Sequence, residues 1–308
     1  MLKPCDQNIW QGRTDRGEHN RWHERINQQS KDGDSALAIC GFCSDAGVSR
    51  NQGRLGASLG PDVIRAMLAN LVYSNAKPVV DRGNISYEDD QLELGQTDLA
   101  TIISKDISHK NFPIVLGGGH EVAWASYQGI RNVYPDTKLG IINFDAHFDL
   151  RPSQPHGSSG TPFRQIAENC QETGQSFNYF VMGINKAVNT PSLFSYAKSV
   201  GVRWLSDIDM GSLPVSHLLA ELEQFCGEVD KIYVSICLDV FPAHIAPGVS
   251  APASLGVDSI IIIQLLHYLK NLGSKIVMLD VAEMNPMYDI DSRTARLAAR
   301  LIQEFVSE

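Results

Sequence analysis

The chain has 308 residues, 43% of them hydrophobic and 20% charged, with a formal net charge of −9. That is enough apolar material for a sizeable core. Acidic and basic residues are interleaved, which leaves no basic stripe for nucleic acid and no basic amphipathic helix for a membrane surface. No run approaches the ~18 apolar residues of a membrane helix, and the densest, 260–266, is far shorter. The N-terminal stretch lacks the apolar region of a secretory signal. Six scattered cysteines do not make a small secreted disulfide framework. The expected compartment is the reducing cytoplasm.

In chain order, residues 1–35 are polar and irregular and read as an extension lying over the surface of a domain that spans 36–308. A strand is expected at 36–42, then a helix at 61–71, where Gly60-Pro61 places proline at the first helical position. A strand at 78–82 and a helix at 98–108 follow, then a strand at 112–116, a helix at 122–133 and a strand at 138–144. Further strands are expected at 178–183, 202–205, 231–237 and 275–281, with helices at 216–225, 258–271 and 292–306. Strands such as Lys-Ile-Val-Met-Leu-Asp-Val are almost wholly apolar, the pattern of strands buried on both faces of a parallel sheet. The expected fold is α/β: one three-layer α/β/α domain with a mainly parallel sheet of about eight strands. Open sheets of this kind bind ligands outside the carboxyl ends of their strands.

Metal-competent residues cluster at those ends. The fourth expected strand runs into Asn-Phe-Asp-Ala-His-Phe-Asp, and alternation along an extended segment would turn Asp145, His147 and Asp149 to one side. An imidazole between carboxylates suits a hard or borderline divalent ion. The seventh strand ends in Ser-Ile-Cys-Leu-Asp, with Cys237 and Asp239 two apart, and the third is followed by Gly-Gly-Gly-His-Glu, which supplies His120. The glycine turn lacks the spacing of a dinucleotide loop and the lysine of a P-loop. Cys237 reads either as a core thiol or as a thiolate ligand.

Together these motifs resemble the ureohydrolase family, which includes arginase and agmatinase. The family's G-G-D-H, D-A-H-x-D and S-x-D-x-D motifs match Gly117–His120, Asp145–Asp149 and Ser235–Asp239, and segments at 47–65 and 280–286 also fit. The resemblance implies two Mn2+ ions, one on His120 and Asp149, the other on His147 and Asp239, with Asp145 bridging. The family's second bridging Asp falls on Cys237, which puts the second ion in question, since Mn2+ prefers oxygen and nitrogen to sulfur. It also implies association into homo-oligomers, trimers or hexamers. Within the family the similarity is strongest to the branch that hydrolyses N-formimidoyl-L-glutamate to L-glutamate and formamide in histidine degradation, through Gly-Gly-Gly-His-Glu, the Asp-Leu-Arg after Asp-Ala-His-Phe, and the run around Asp239.

That reaction needs metal-activated water at the formimidoyl carbon. Asp149 is the candidate to orient the water and carry its proton, Glu283 to hold the formimidoyl N–H groups, and His156 to protonate the leaving amine. An anionic substrate with two carboxylates calls for guanidinium groups, of which Arg151 is the first candidate and Arg54 and Arg164 are weaker ones. Two alternatives stay open: a family member acting on a guanidinium substrate, and a catalytically silent metal-binding relative. A basic substrate would want acidic groups in the loop after Asp149, and that loop has none.

Overall fold

The computed structural model describes residues 1–17, 19–27 and 35–307. Among them, nine strands form one sheet: β1 (Leu2–Lys3), β2 (Leu37–Cys43), β3 (Val79–Ser86), β4 (Phe112–Leu116), β5 (Leu139–Phe144), β6 (Asn178–Ile184), β7 (Arg203–Ser206), β8 (Lys231–Cys237) and β9 (Ile276–Ala282). Their order is β1-β3-β2-β4-β9-β8-β5-β6-β7, and every pairing is parallel except β1 with β3.

Neighbouring residues on one strand serve opposite cores. Ile39, Ile114 and Ile142 point into one apolar cluster, and Cys40, Val115 and Ile141 into the other. Helices Gly60–Ala69, Val215–Gly227, Ser259–Lys270 and Arg293–Val306 cover the first face. Helices Leu92–Ser108, Val122–Arg131, Pro162–Glu172 and Pro191–Ser199 cover the second. Burial on both faces is why these strands read as continuous apolar runs rather than as alternating ones. No helix among the described residues is long and apolar enough to cross a membrane.

All eight expected strands form, and the differences lie where polar residues interrupt the pattern. The strand β3 continues through Asp81-Arg82-Gly83-Asn84 to Ser86. It is held there by the fully buried Arg65, whose Nε and Nη2 donate to the two Asp81 carboxylate oxygens at 2.9 Å each. Helix Leu92–Ser108 begins well ahead of the expected 98, because its first turns bury Gly95 and Gln96 rather than an apolar stripe. Helices Pro162–Glu172 and Pro191–Ser199 fall outside the expected set; the second buries only Leu193 and Ala197.

The segment before residue 36 is more than a polar cover. Leu2 and Lys3 add an edge strand beside Ile85 and Asn84. Trp10 and Trp22 enter the core, with Trp22 at 0% exposure. Each indole N–H finds an acceptor, Trp10 on Asp81 at 2.7 Å and Trp22 on Gln303 at 2.5 Å. A large aromatic body with its one polar atom satisfied is stable inside.

The strand order decides what can meet. The chain passes from β4 to β5 across a gap that β9 and β8 later fill, so β4, β9, β8 and β5 are consecutive neighbours. Their carboxyl ends carry His120, Glu283, Cys237 with Asp239, and the Asp145–Asp149 segment.

Candidate metal centre

After β4 the chain turns through Gly117–Gly119 against the end of β2. A Cβ on Gly118 would lie 2.2 Å from the Ser44 carbonyl oxygen, so only glycine lets the two backbones meet here. This close approach delivers His120 into the interior, at 1% exposure.

The Asp145–Asp149 segment converges for a different reason from the expected alternation. The strand β5 ends at Phe144, and Asp149 adopts a left-handed backbone at φ 49°. The curl is held by hydrogen bonds: Asp145 N–H to Met182 O (3.0 Å), His147 N–H to Asp145 Oδ1 (2.7 Å) and Phe148 N–H to Asn189 Oδ1 (3.1 Å). Cys237 and Asp239 likewise do not share one extended segment. Cys237 is the last residue of β8, whereas Asp239 sits in the single tight turn Leu238–Val240.

Two groups of donor atoms result, each within 4.8 Å: His120, Asp145 and Cys237, and Asp145, His147 and Asp239. His120 Nδ1 stands 3.0 Å from Asp145 Oδ2 and 2.9 Å from Asp149 Oδ2. His147 Nδ1 stands 3.0 Å from Asp239 Oδ2 and 3.6 Å from Asp145 Oδ1. Asp145 belongs to both groups.

A relay sets the His120 ring. Asp280 is fully buried and accepts from the hydroxyls of Ser126 (2.8 Å), Tyr233 and Ser235 (2.6 Å). The Ser235 hydroxyl spends its only proton on Asp280, so its oxygen must accept from His120 Nε2–H, 3.0 Å away. That makes Nδ1, which faces Asp145 and Asp149, the ring atom whose lone pair a metal ion would take. Asp239 Oδ1 is also buried and unpartnered.

The electrostatics demand positive charge in this space. Burial pushes the Asp149 carboxyl up to about 6, with the neighbouring Asp145 carboxylate adding to it. Burial, then Asp239 and Glu121, push Glu283 up to about 8. Burial works against a charged His120, yet Asp145 and Asp149 would raise its pKa well above the usual value. Orphaned buried donors among carboxylates that resist ionising together fit a pair of divalent cations.

Glu283 follows β9 in a left-handed conformation at φ 69°. Its Oε1 accepts the His120 backbone N–H at 2.9 Å, while Oε2 has no partner. Such a conformation costs about 1–3 kcal/mol and persists only where surrounding contacts enforce it; here the Glu283 N–H donates to Gly118 O at 2.9 Å.

A cavity of about 270 Å³ opens over the centre, lined by His147, Asp149, Cys237, Asp239 and Glu283 at its floor and by Arg54 and Arg151 on its walls. Arg54 is fixed there, with Nε donating to Ser250 O at 3.0 Å, Nη2 to Val249 O, and the guanidinium 3.9 Å over the Tyr288 ring. Arg164 lies elsewhere, bound to Glu168 at 2.5 Å and stacked on Tyr196. His156 is exposed on its loop and does not line the cavity. All six cysteines are unpaired, and burial pushes the Cys40 and Cys43 thiols up to about 12, against redox use of that pair. Reading from the sequence misses Asn189 and the Ser126–Tyr233–Asp280 cage; an acidic residue inside an otherwise apolar β9 was the available signal for the cage.

Residues 35–307 match the Arginase family. The chain is similar to a formimidoylglutamase of Ralstonia nicotianae, 45% identical over 99% of this chain and 97% of that one. It is also similar to one of Hahella chejuensis, 46% identical over 95% and 92%. Among solved structures, Trypanosoma cruzi formiminoglutamase in its oxidized form with Mn2+2 at pH 6.0 is 25% identical at TM-score 0.80, over 93% of this chain and 96% of that one. Bacillus subtilis formimidoylglutamase, 21% identical, shares the fold at TM-score 0.84 over 95% and 92%.

Proposed function

The chain belongs to the arginase family, and from that premise we propose that it hydrolyses N-formimidoyl-L-glutamate to L-glutamate and formamide, with divalent metal, manganese included, held by His120, Asp145, His147, Asp149 and Asp239. The observation that carries this reading is full-length identity of 45–46% to two formimidoylglutamases. The cavity walls support it. Beyond Asp149, Asp239 and Glu283 the lining has no carboxylate, and its ionisable wall groups are Arg54 and Arg151. Such walls suit a substrate with two carboxylates and would repel a guanidinium compound.

Divalent ions at this centre would lower the pKa of water and so supply a nucleophile near neutral pH. The protein's own groups do the rest. Arg151, with no side-chain partner among the described residues, and the fixed Arg54 hold the substrate carboxylates at the cavity wall. Glu283 Oε2 receives a formimidoyl N–H, which turns the planar carbon toward the floor. Asp149 takes a proton from the attacking water and returns it to the departing glutamate nitrogen as the C–N bond breaks. His156, outside the cavity, has no part in this scheme.

The test is metal-stripped protein reloaded with Mn2+ and offered N-formimidoyl-L-glutamate, arginine or agmatine, with formamide and urea assayed. Formamide from the first substrate alone is expected. Urea from a guanidinium substrate would overturn the assignment, and no product from any would point to a silent relative.

A further inference from the structure

We propose that the two halves of the metal centre are chemically unequal: the His120 half takes a thiophilic divalent ion, of the Zn2+ or Co2+ kind, through the Cys237 thiolate, while the His147 half takes Mn2+. This rests on the two-ion reading above and concerns which ion each half selects.

The asymmetry lies in the donors. Cys237 Sγ groups with His120 and Asp145, but does not join the group of Asp145, His147 and Asp239. The first half therefore has one nitrogen, one sulfur and one carboxylate, with Asp149 Oδ2 beside it at 2.9 Å from His120 Nδ1. The second half has one nitrogen and two carboxylates. A carboxylate at position 237 could give one oxygen to each ion; a single sulfur at the end of β8 serves the half it faces.

Burial separates the halves in the same way. His120, Asp145 and Cys237 are 0–1% exposed, whereas the His147 side chain is 23% exposed toward the cavity. A buried donor set that includes a thiolate is the environment that zinc-like ions prefer. Three oxygen and nitrogen donors with an open face suit an ion that keeps water, as Mn2+ does. On binding, the sulfur–metal bond replaces the S–H bond, and the thiol proton leaves to solvent. No oxidant or reductant takes part. The sulfur-bearing half would then be a fixed charge beside the more exposed His147 half.

The test uses the full-length protein, stripped of metal and titrated with Co2+, with near-ultraviolet sulfur-to-cobalt charge-transfer absorption as the readout. The band is expected to grow with the first equivalent and to saturate at one per chain. Mn2+ added afterwards should bind without reducing it, by metal analysis after desalting. Cys237→Ser should abolish the band and keep Mn2+ in the open half, and Cys237→Asp should abolish it and take up two Mn2+. In the wild type, one Zn2+ per chain should survive dialysis against about a hundredfold excess of Mn2+, a measurement that stands even if the variants do not fold. Absence of the band in the wild type, its persistence in Cys237→Ser, or complete exchange of Zn2+ for Mn2+ would overturn the proposal. Formamide turnover without a thiolate band would sink the inequality and leave the hydrolysis. The band without turnover on any substrate would do the reverse.

Discussion

Replacing Ser235 with alanine tests the relay that orients His120. In the metal-loaded wild type, Asp280 would take the Ser235 proton, Ser235 the proton of His120 Nε2, and Nδ1 would offer its lone pair to the metal. Without the hydroxyl, Nε2–H loses its acceptor, and a buried unsatisfied donor costs about 1–3 kcal/mol. Without metal the ring can avoid that cost by releasing the Nε2 proton and keeping one on Nδ1, which lies 2.9–3.0 Å from Asp149 and Asp145. The apoprotein therefore loses little stability, but the metal loses its nitrogen donor unless the ring reverts. Removing a group that orients a metal-binding histidine typically weakens affinity about 10–100-fold. At a metal concentration about 100 times the wild-type Kd, binding adds about 2.7 kcal/mol to stability; in the variant this falls to about 1.4 or 0.4 kcal/mol. Urea denaturation with and without Co2+, with titration calorimetry for Kd, measures both quantities. An unchanged Kd, or an apoprotein destabilised as much as the metal-loaded form, would refute the tautomer argument.

Trp22→Ala should cost about 3–5 kcal/mol, the usual penalty for emptying a buried aromatic site, seen as a lower urea midpoint; no loss would show that residues 19–27 do not contribute to the core. Arg151→Gln should raise KM for N-formimidoyl-L-glutamate far more than it lowers kcat, since it removes binding common to ground and transition states; a fall in kcat at constant KM would move Arg151 from recognition to chemistry. Glu121 is fully buried, and burial raises its carboxyl to about 7 from 4.5. A raised carboxyl holds its proton in the folded state, so its stability contribution is intact below about 4.5 and is lost as pH rises through about 7, by about 3 kcal/mol. Glu121→Gln should keep the bond from the Gly47 N–H and make the apoprotein more stable than wild type at pH 8 but not at pH 4.5, by urea midpoints. Equal pH profiles would remove Glu121 from the account.

The parts of this protein legible in the sequence are those that depend on local pattern. Apolar runs marked all eight long strands, because burial on both faces leaves no room for polar residues in β4, β5, β8 or β9. Polar β3, by contrast, was legible only in its first half, since Arg65 and β1 hold the remainder and both come from elsewhere in the chain. Trp10 and Trp22 looked like parts of a polar extension, because two isolated aromatics carry no periodicity. The acidic and histidine residues of the centre stood out by type, while Arg164 and His156 shared the same local signal and yet lie away from the cavity.

By itself, then, the sequence determined which residue types follow which strands, and through them the alternating fold and the candidate metal-binding residues. The tertiary structure alone decided which strand ends become neighbours. His120 and Asp239 are far apart in the chain and meet because β9 and β8 enter between β4 and β5. It also decided that Cys237 groups with His120 rather than His147, that Asp149 and Glu283 take left-handed backbones, and that the Ser235 hydroxyl meets His120 Nε2. Each of these depends on distances across the sheet, and residue spacing along one chain carries no information about such distances until strand order is set.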